Sequence, residues 1–263
     1  GAWDGGAADL PALRRAMADY SEAVRIDPRF VRAWVQLSRA ASFLHANVPD
    51  DALAARSREA AARARALAPG RADVHLALGD HRLVTGDAPG ARDEFAAGLR
   101  AAPDDPALVT EAARAARVLG RWDDAARGFR RAAELDPRVA LHPARLGMVL
   151  LYQHRPDEAA RAVDRAIALA PGNPGYVHQR ALIALSLGRL AEARRALDAL
   201  GDRTRNVAYA SNYWGAGWML DDAQATTLLG LGPEAFDGDR GRWALARALV
   251  LAPRRDPAAT AWA

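Results

Sequence analysis

Apolar and small residues recur along the chain at the three- and four-residue spacing of amphipathic helices, and polar turns separate these segments. Residues 30–42 predict one helix, and residues 51–67 predict its partner, which ends before Pro69. Alanine has the highest helix propensity, whereas β-branched and aromatic residues are sparse in this chain. The sequence therefore predicts an all-α chain built from pairs of helices.

A repeat of 34 residues organises the middle of the chain. Four blocks follow one another without gaps, at residues 72–105, 106–139, 140–173 and 174–207. A glycine between the two helices of a block allows a tight reversal, and a closing proline stops the second helix. Alanine and a larger apolar residue, four positions apart, occupy equivalent places in the second helices. The equivalent residues are Gly86, Gly120, His154 and Gly188; Ala91, Ala125, Ala159 and Ala193; Phe95, Phe129, Val163 and Leu197; and Pro103, Pro137 and Pro171.

Longer or partial repeats are expected on both sides of these blocks. Residues 1–30 contain a partial first repeat, mainly its second helix, and residues 31–71 form a repeat of 41 residues. The seven residues in excess of the 34-residue unit are expected in a longer loop at "HANVPDD". Residues 208–263 predict an aromatic capping helix and a partial repeat closed by Pro253, with the start of a further helix after Pro257. The capping helix is expected to carry on one face Tyr209, Tyr213, Trp214 and Trp218.

The segments "LALGDHRLVTGDAPGARDEFAAGLRAAP" and "RWDDAARGFRRAAELDPR" resemble the tetratricopeptide repeat, which has an early Leu-Gly, a later Ala and aromatic residue, and a closing Pro. The resemblance implies an all-α, right-handed superhelix, an α-solenoid of about five to six helix pairs. Most of the chain is also similar to the repeat regions attached to bacterial serine/threonine kinases and related signalling proteins. A sensing or recruiting role would follow from that similarity.

Composition narrows the classes of function. All 36 basic residues are arginine, but 32 carboxylates are interleaved with them, and the net charge is only +4. Nucleic-acid binding needs basic residues that are clustered without compensating acids, so no nucleic-acid partner is expected. The chain has no cysteine, and no apolar run is long enough to insert in a membrane. A cytoplasmic location is favoured, while an extracytoplasmic one is open if a parent protein is membrane-anchored.

The usual signatures of catalysis and of metal or cofactor binding do not appear in the sequence. The six histidines are scattered, and no HExxH motif, phosphate-binding glycine loop or GxSxG elbow occurs. The segment "DGDRG" at residues 237–241 begins like a calcium loop, but Ala248 occupies the twelfth place, where a carboxylate is needed. We therefore expect no enzyme activity, no cofactor and no metal.

The concave surface of the expected solenoid is the candidate binding site. First helices line this surface, and their outward positions form an extended groove. Arginines outnumber acids there, and the planar guanidinium group suits carboxylates, so a mild preference for acidic segments is expected. The groove residues are Gln36, Arg39, Asp80, Glu111, Arg114, Arg117, Arg145, Met148, Tyr152, His178 and Gln179.

The sequence thus predicts a non-catalytic scaffold that binds a peptide or protein segment in its groove. Two alternatives stay open. One is self-assembly into a homodimer or other homo-oligomer through the aromatic C-terminal region. The other is a small-ligand site beneath the aromatic residues Tyr209–Trp218, since apolar pockets with few polar groups often bind small molecules.

Overall fold

The computed structural model describes residues 10–199, 202–236 and 238–252. These ranges contain fourteen α-helices, two 3₁₀ turns and no β-strand, which confirms the all-α prediction. The chain divides into two compact units, Gly1–Val149 and Leu150–Ala263, each described by itself below. The helices are α1 (Leu10–Ile26), α2 (Val31–Asn47), α3 (Asp51–Leu67), α4 (Ala72–Val84), α5 (Ala88–Ala101), α6 (Pro106–Val118), α7 (Trp122–Leu135), α8 (Leu141–Tyr152), α9 (Pro156–Leu169), α10 (Pro174–Ser186), α11 (Leu190–Ala199), α12 (Arg203–Trp214), α13 (Asp222–Leu229) and α14 (Arg240–Leu251).

Unit 1 is a stack of helix pairs. The first helices α2, α4 and α6 pack against their second helices α3, α5 and α7. Among the first helices, α2 contacts α4 and α4 contacts α6. The second helices α3 and α5 each contact the first helix that follows them. This pattern gives two layers, one of first helices and one of second helices, with α1 packed against α2.

Small residues allow the two helices of a pair to approach closely. Phe95 on α5 is fully buried, and its ring lies against Gly79 on α4, where a Cβ atom would stand 2.3 Å from Phe95 Cε1. In the next pair, a Cβ on Gly128 would stand 2.6 Å from the Cβ of Ala113. Real carbon atoms do not approach so closely, so a larger residue at either glycine would push the helices apart.

The turns between paired helices have the backbone conformation that the repeat predicts. Gly86, Gly120 and Gly188 have φ values of 92°, 71° and 69°, in the left-handed region that glycine adopts without steric cost. His154 occupies the equivalent place, and it is the one non-glycine residue with positive φ, 57°, in the described part of the chain. The prediction that these four residues share a turn position is confirmed.

The excess residues of the repeat 31–71 lie in its helices and not in a longer loop. Helix α2 has 17 residues, against 13 in α4 and α6, and α3 has 17, against 14 in α5 and α7. Residues 45–47 of "HANVPDD" belong to α2 and Asp51 belongs to α3, so the expected long loop was wrong. An α-helical turn contains 3.6 residues, so one added turn in each helix keeps the same faces buried.

Unit 2 has a core that includes residues of α10, α11, α12, α13 and α14 and of the two 3₁₀ turns. Its fully buried side chains include Leu228 of α13, and Met219 and Phe236 of the 3₁₀ turns. Helix α12 begins at Arg203, inside the last 34-residue block, because the Asp202 side chain accepts hydrogen bonds from the backbone N–H groups of Thr204 and Arg205. Gly215, with φ 60°, ends this helix at Trp214.

The expected aromatic face is therefore interrupted. Trp218 lies in a separate 3₁₀ turn, Ala216–Met219, and is 53% exposed, whereas Tyr209 lies on α12 and is half-buried. The single aromatic helix face that the sequence predicted was wrong, because a left-handed glycine separates Trp218 from α12. The side chains of Tyr213 and Trp214 lie outside the described residues, as do residues 1–9 of the expected partial first repeat and the expected further helix after Pro257.

The close contact of Gly79 with Phe95 gives a first prediction. In Gly79→Ala, the added methyl group meets a fully buried ring, and overpacking of this kind costs about 1–3 kcal/mol. The higher helix propensity of alanine offsets at most about 1 kcal/mol of this cost. We expect a lower midpoint of thermal unfolding, measured by circular dichroism.

Gly70→Ala is the matched control, because a Cβ at Gly70 meets no atom within 4 Å and its φ is not positive. It should leave the unfolding midpoint within about 1 °C of that of the unchanged protein, since surface substitutions of this kind cost little. Equal midpoints for both variants would contradict the packing argument.

Candidate functional site

Eight of the residues expected in the groove lie on first helices in unit 1, and six of them are considered together. Helices α2, α4, α6 and α8 each contribute to this set, which we name the first-helix face. The residues are Gln36, Arg39, Asp80, Glu111, Arg114 and Arg145. All but Gln36 have ion-pair partners within the set.

Ion pairs connect neighbouring helices across this face. Arg39 on α2 donates from Nε to Asp80 Oδ2 on α4 at 2.9 Å, and this bond joins two successive helix pairs. On α6, Glu111 Oε2 accepts from Arg114 Nη1 at 2.7 Å, while Glu111 Oε1 lies 3.7 Å from Arg145 Nη1 on α8. The carboxylates are mostly covered, whereas the arginine side chains are 20–28% exposed. The arginine side chains are therefore more exposed than the carboxylates they pair with.

The two carboxylates have pKa values shifted in opposite directions. Burial raises the pKa of Asp80 to about 6 against the attraction of Arg39, and the negative charge of Glu111 adds to the rise. Burial also acts to raise the pKa of Glu111, but Arg114, Arg145 and Arg39 outweigh it and hold that pKa below its usual range. Glu111 therefore stays ionised beside its arginines, whereas Asp80 is the weaker acid and takes up a proton at a higher pH.

The other expected groove residues differ in exposure. In unit 1, Arg117 is exposed and Met148 is half-buried. In unit 2, Tyr152 is 54% exposed and Gln179 is half-buried. His178 is only 1% exposed and packs on the ring of Tyr209, with 6.1 Å between centroids. The outward position expected for His178 is therefore not observed, since its ring is covered within unit 2.

A second charged cluster, which the sequence reasoning missed, centres on Glu94 of α5. Its Oε1 accepts from Arg65 of α3 at 3.0 Å and lies 3.2 Å from Arg82 of α4, while its Oε2 lies 2.8 Å from His75 Nδ1. One buried carboxylate thus holds three helices together. The sequence carried a signal of this cluster, because Glu94 is a charged residue at a position where the later blocks have the small residues Gly128, Ala162 and Ala196.

Two open clefts lie away from the first-helix face, each between consecutive second helices. The larger, of about 660 Å³, is lined by residues of α1, α2 and α3, including Trp34 and Arg56. The other, of about 230 Å³, is lined by residues of α5, α6 and α7. In the described ranges, no group of three or more potential ligand side chains could hold a metal ion. No described helix is both long and apolar enough to cross a bilayer.

Sequence models of one family match most of the chain. Models of the tetratricopeptide repeat match residues 50–106 and 110–174, and a further model of the same repeat matches residues 150–214. The chain belongs to the tetratricopeptide repeat family. Tetratricopeptide repeats generally serve as protein-interaction scaffolds that have no catalytic centre of their own.

Solved structures agree on the fold. The crystal structure of the APC/C hetero-tetramer Cut9-Hcn1 matches with a TM-score of 0.67 and 19% identity, over 81% of this chain. The chain spans 40% of the length of that neighbour. Pseudomonas aeruginosa pilF matches with a TM-score of 0.58 and 17% identity, over 84% of this chain and 96% of its own. PilW, a type IV pilus biogenesis factor, matches with a TM-score of 0.60 and 16% identity, over 71% of this chain and 84% of its own.

Similarity at this level of identity shows the tetratricopeptide repeat fold alone. A search of curated proteins finds no match to the sequence. The chemistry of this chain's own residues must therefore carry any more specific assignment.

The burial of His178 predicts a pH dependence of stability. Burial lowers the pKa of His178 to about 4, so the folded state binds fewer protons than the unfolded state at any pH between that value and the ordinary 6.5. The free energy of unfolding should fall as the pH drops through this window. The contribution of His178 to the fall is about 2 kcal/mol between pH 7.5 and pH 5, measured by denaturant unfolding.

His178→Phe removes the titrating group and keeps a ring of similar size, so this variant should lose about 2 kcal/mol less over the same pH range. His154→Asn is the control, because His154 is exposed and asparagine tolerates its positive φ. An unchanged pH dependence in His178→Phe would show that His178 does not stay neutral in the folded state.

Proposed function

We propose that this tetratricopeptide repeat protein is a non-catalytic scaffold that binds a peptide or protein segment on its first-helix face, with a preference for acidic segments. The fold supports a scaffold role in general. The finer assignment rests on one observation, the row of arginines contributed by successive first helices. The side chains of Arg39, Arg114 and Arg145 are 20–28% exposed, whereas the carboxylates that pair with them are mostly covered.

The charge balance of this face supports an anionic ligand. Three guanidinium groups and two carboxylates leave one positive charge in excess, and the exposed Arg117 on α6 adds another. The ion pairs fix the arginines in place before a ligand arrives, so that less side-chain entropy is lost on binding. Guanidinium groups form bidentate hydrogen bonds with carboxylates, which suits Asp and Glu side chains of a bound segment.

We place this binding activity within the sensing or recruiting region of a larger bacterial signalling protein. This wider role rests only on the resemblance that the repeat sequence bears to repeat regions attached to bacterial serine/threonine kinases. In such an arrangement, catalysis would belong to another region and this chain would contribute recognition.

Charge reversal tests the proposed binding. In Arg114→Glu/Arg145→Glu, two guanidinium groups that would contact the acidic segment become carboxylates and repel it. We expect the Kd of a rhodamine-labelled hexa-aspartate peptide, measured by fluorescence anisotropy at low salt, to rise at least about tenfold. Arg63→Glu/Arg100→Glu is the matched control, since both residues are exposed on second helices and the change in net charge is the same.

A milder variant separates binding from stability, because both reversed arginines also hold the buried Glu111. Arg117→Glu changes an exposed residue of α6. It should raise the Kd of the peptide by about threefold while leaving the circular dichroism spectrum unchanged. Equal losses in the first-helix variants and in the control would reduce the effect to net charge and refute the proposed site.

A specific observation favours self-association as a second candidate function. In unit 2, Trp218 is 53% exposed and Leu245 of α14 is 58% exposed, and the 3₁₀ turn of Trp218 contacts α14. Contiguous exposed apolar patches mark protein interfaces, and Trp218 and Leu245 are the large side chains that could form one here.

This candidate predicts that the chain forms a homodimer at high concentration and that Trp218→Ala abolishes it, because the anchoring aromatic surface is removed. Light scattering coupled to size-exclusion chromatography measures the molar mass. Tyr152→Ala is the control, since Tyr152 is an equally exposed aromatic residue in the same unit, 54% exposed. A monomer at every concentration up to about 1 mM, the Kd of a very weak complex, would remove this candidate.

A further inference from the structure

Asp80 is the less completely paired of the two carboxylates on the first-helix face. Its Oδ2 accepts from Arg39 Nε at 2.9 Å, but its Oδ1 is buried and has no hydrogen-bond partner among the described residues. The residue as a whole is 8% exposed. A buried carboxylate oxygen without a partner is costly, and a proton on the carboxyl group removes that cost.

The groups around Asp80 come from the two first helices packed against α4. Arg39 faces it from α2, and Glu111 and Arg114 face it from α6, where Arg145 of α8 also reaches Glu111. Three charged residues of α3 and α5, namely Arg58, Arg65 and Glu94, act on groups other than Asp80. Arg58 acts on His81, and Arg65 and Glu94 lie in the cluster with His75 and Arg82.

We propose that Asp80 is a proton-controlled gate on Arg39, so that uptake of one proton by Asp80 releases the Arg39 guanidinium to bind an anionic group of the ligand. The proton passes from solvent to the Asp80 carboxylate, and no covalent bond to carbon changes. The excess charge of the first-helix face rises from one to two positive charges. Arg39 loses the ionised carboxylate that accepts from its Nε, while Glu111 and Asp105 still attract it. This inference rests on the proposed function, because it names the residue that sets the pH range of anionic binding.

The order of titration supports the gate. Burial raises the pKa of Asp80 to about 6, whereas the surrounding arginines keep the pKa of Glu111 below its usual range. Asp80 therefore accepts a proton first as the pH falls, while Glu111 still holds Arg114 and Arg145. By linkage, a ligand that binds better to the protonated form raises the pKa of Asp80 when it binds.

The binding experiment uses the full chain and the rhodamine-labelled hexa-aspartate peptide. The label does not titrate between pH 5.5 and pH 7.5, and the aspartates stay ionised there. We expect the Kd to fall by about threefold to tenfold from pH 7.5 to pH 5.5 in the unchanged protein. In Asp80→Asn, which has nearly the same shape and cannot ionise, the Kd should be low at both pH values and change by less than about twofold.

Two further variants sharpen this comparison. Asp93→Asn on α5 is the matched control, since its side chain is 68% exposed, and it should keep the full pH dependence. Arg39→Gln removes the gated cation, so the pH dependence should disappear even though Asp80 still titrates. This variant also tests the gate if Asp80→Asn fails to fold. An unchanged pH dependence in both Asp80→Asn and Arg39→Gln would overturn the proposal.

A measurement without ligand separates the gate from the proposed binding function. The Arg39 Nε–H resonance in nuclear magnetic resonance spectra should shift with an inflection near pH 6, and the shift should be absent in Asp80→Asn. If the peptide does not bind at any pH but this inflection is present, the proposed binding of acidic peptides is refuted, while the effect of Asp80 protonation on Arg39 is supported. If the resonance shows no inflection above about pH 4.5, near an ordinary carboxyl pKa, the gate itself is refuted.

Discussion

The close approach of paired helices is the constraint on which the rest of the structure depends. Phe95 can be fully buried only because Gly79 offers no side chain where its ring lies, and Gly128 meets Ala113 in the same way one pair later. Such contacts fix the distance between helices and therefore the spacing of successive first helices. The chain has 65 alanines, so small residues of this kind are available in nearly every helix. Dispersion contacts across these short distances add to those of buried large side chains such as Phe95 and Phe129.

The spacing of first helices also determines the charge arrangement of the candidate site. Arg39 and Asp80 are 41 positions apart, and Glu111 and Arg145 are 34 positions apart, yet each pair lies within ion-pairing distance. Residues one repeat apart come together because neighbouring first helices are in contact. The first-helix face is therefore a product of the repeat, and the same packing that stabilises unit 1 organises its arginines. Partial burial then makes the two acids unequal, which is a property of the assembled face and of neither helix alone.

Several features could be read directly from the sequence because they depend on local rules. The 34-residue spacing predicted the helix pairs, and Gly86, Gly120, Gly188 and His154 were correctly placed at one turn position. The expected loop at "HANVPDD" was wrong, since a loop and an added helical turn insert similar numbers of residues into a repeat. Glu94 was overlooked because its partners lie on two other helices. The sequence did carry a signal, since small residues occupy the equivalent positions of the later blocks.

By itself, the sequence determined the all-α class, the family and the pairing of helices within each repeat, because these features depend on local periodic patterns. Only the tertiary structure decided which of those positions interact, that His178 is covered by Tyr209, and that Gly215 separates Trp218 from α12. It also decided that Asp80 is the carboxylate that titrates first. Burial and charge proximity depend on distances between residues far apart in the chain, and those distances exist only after the helices have packed.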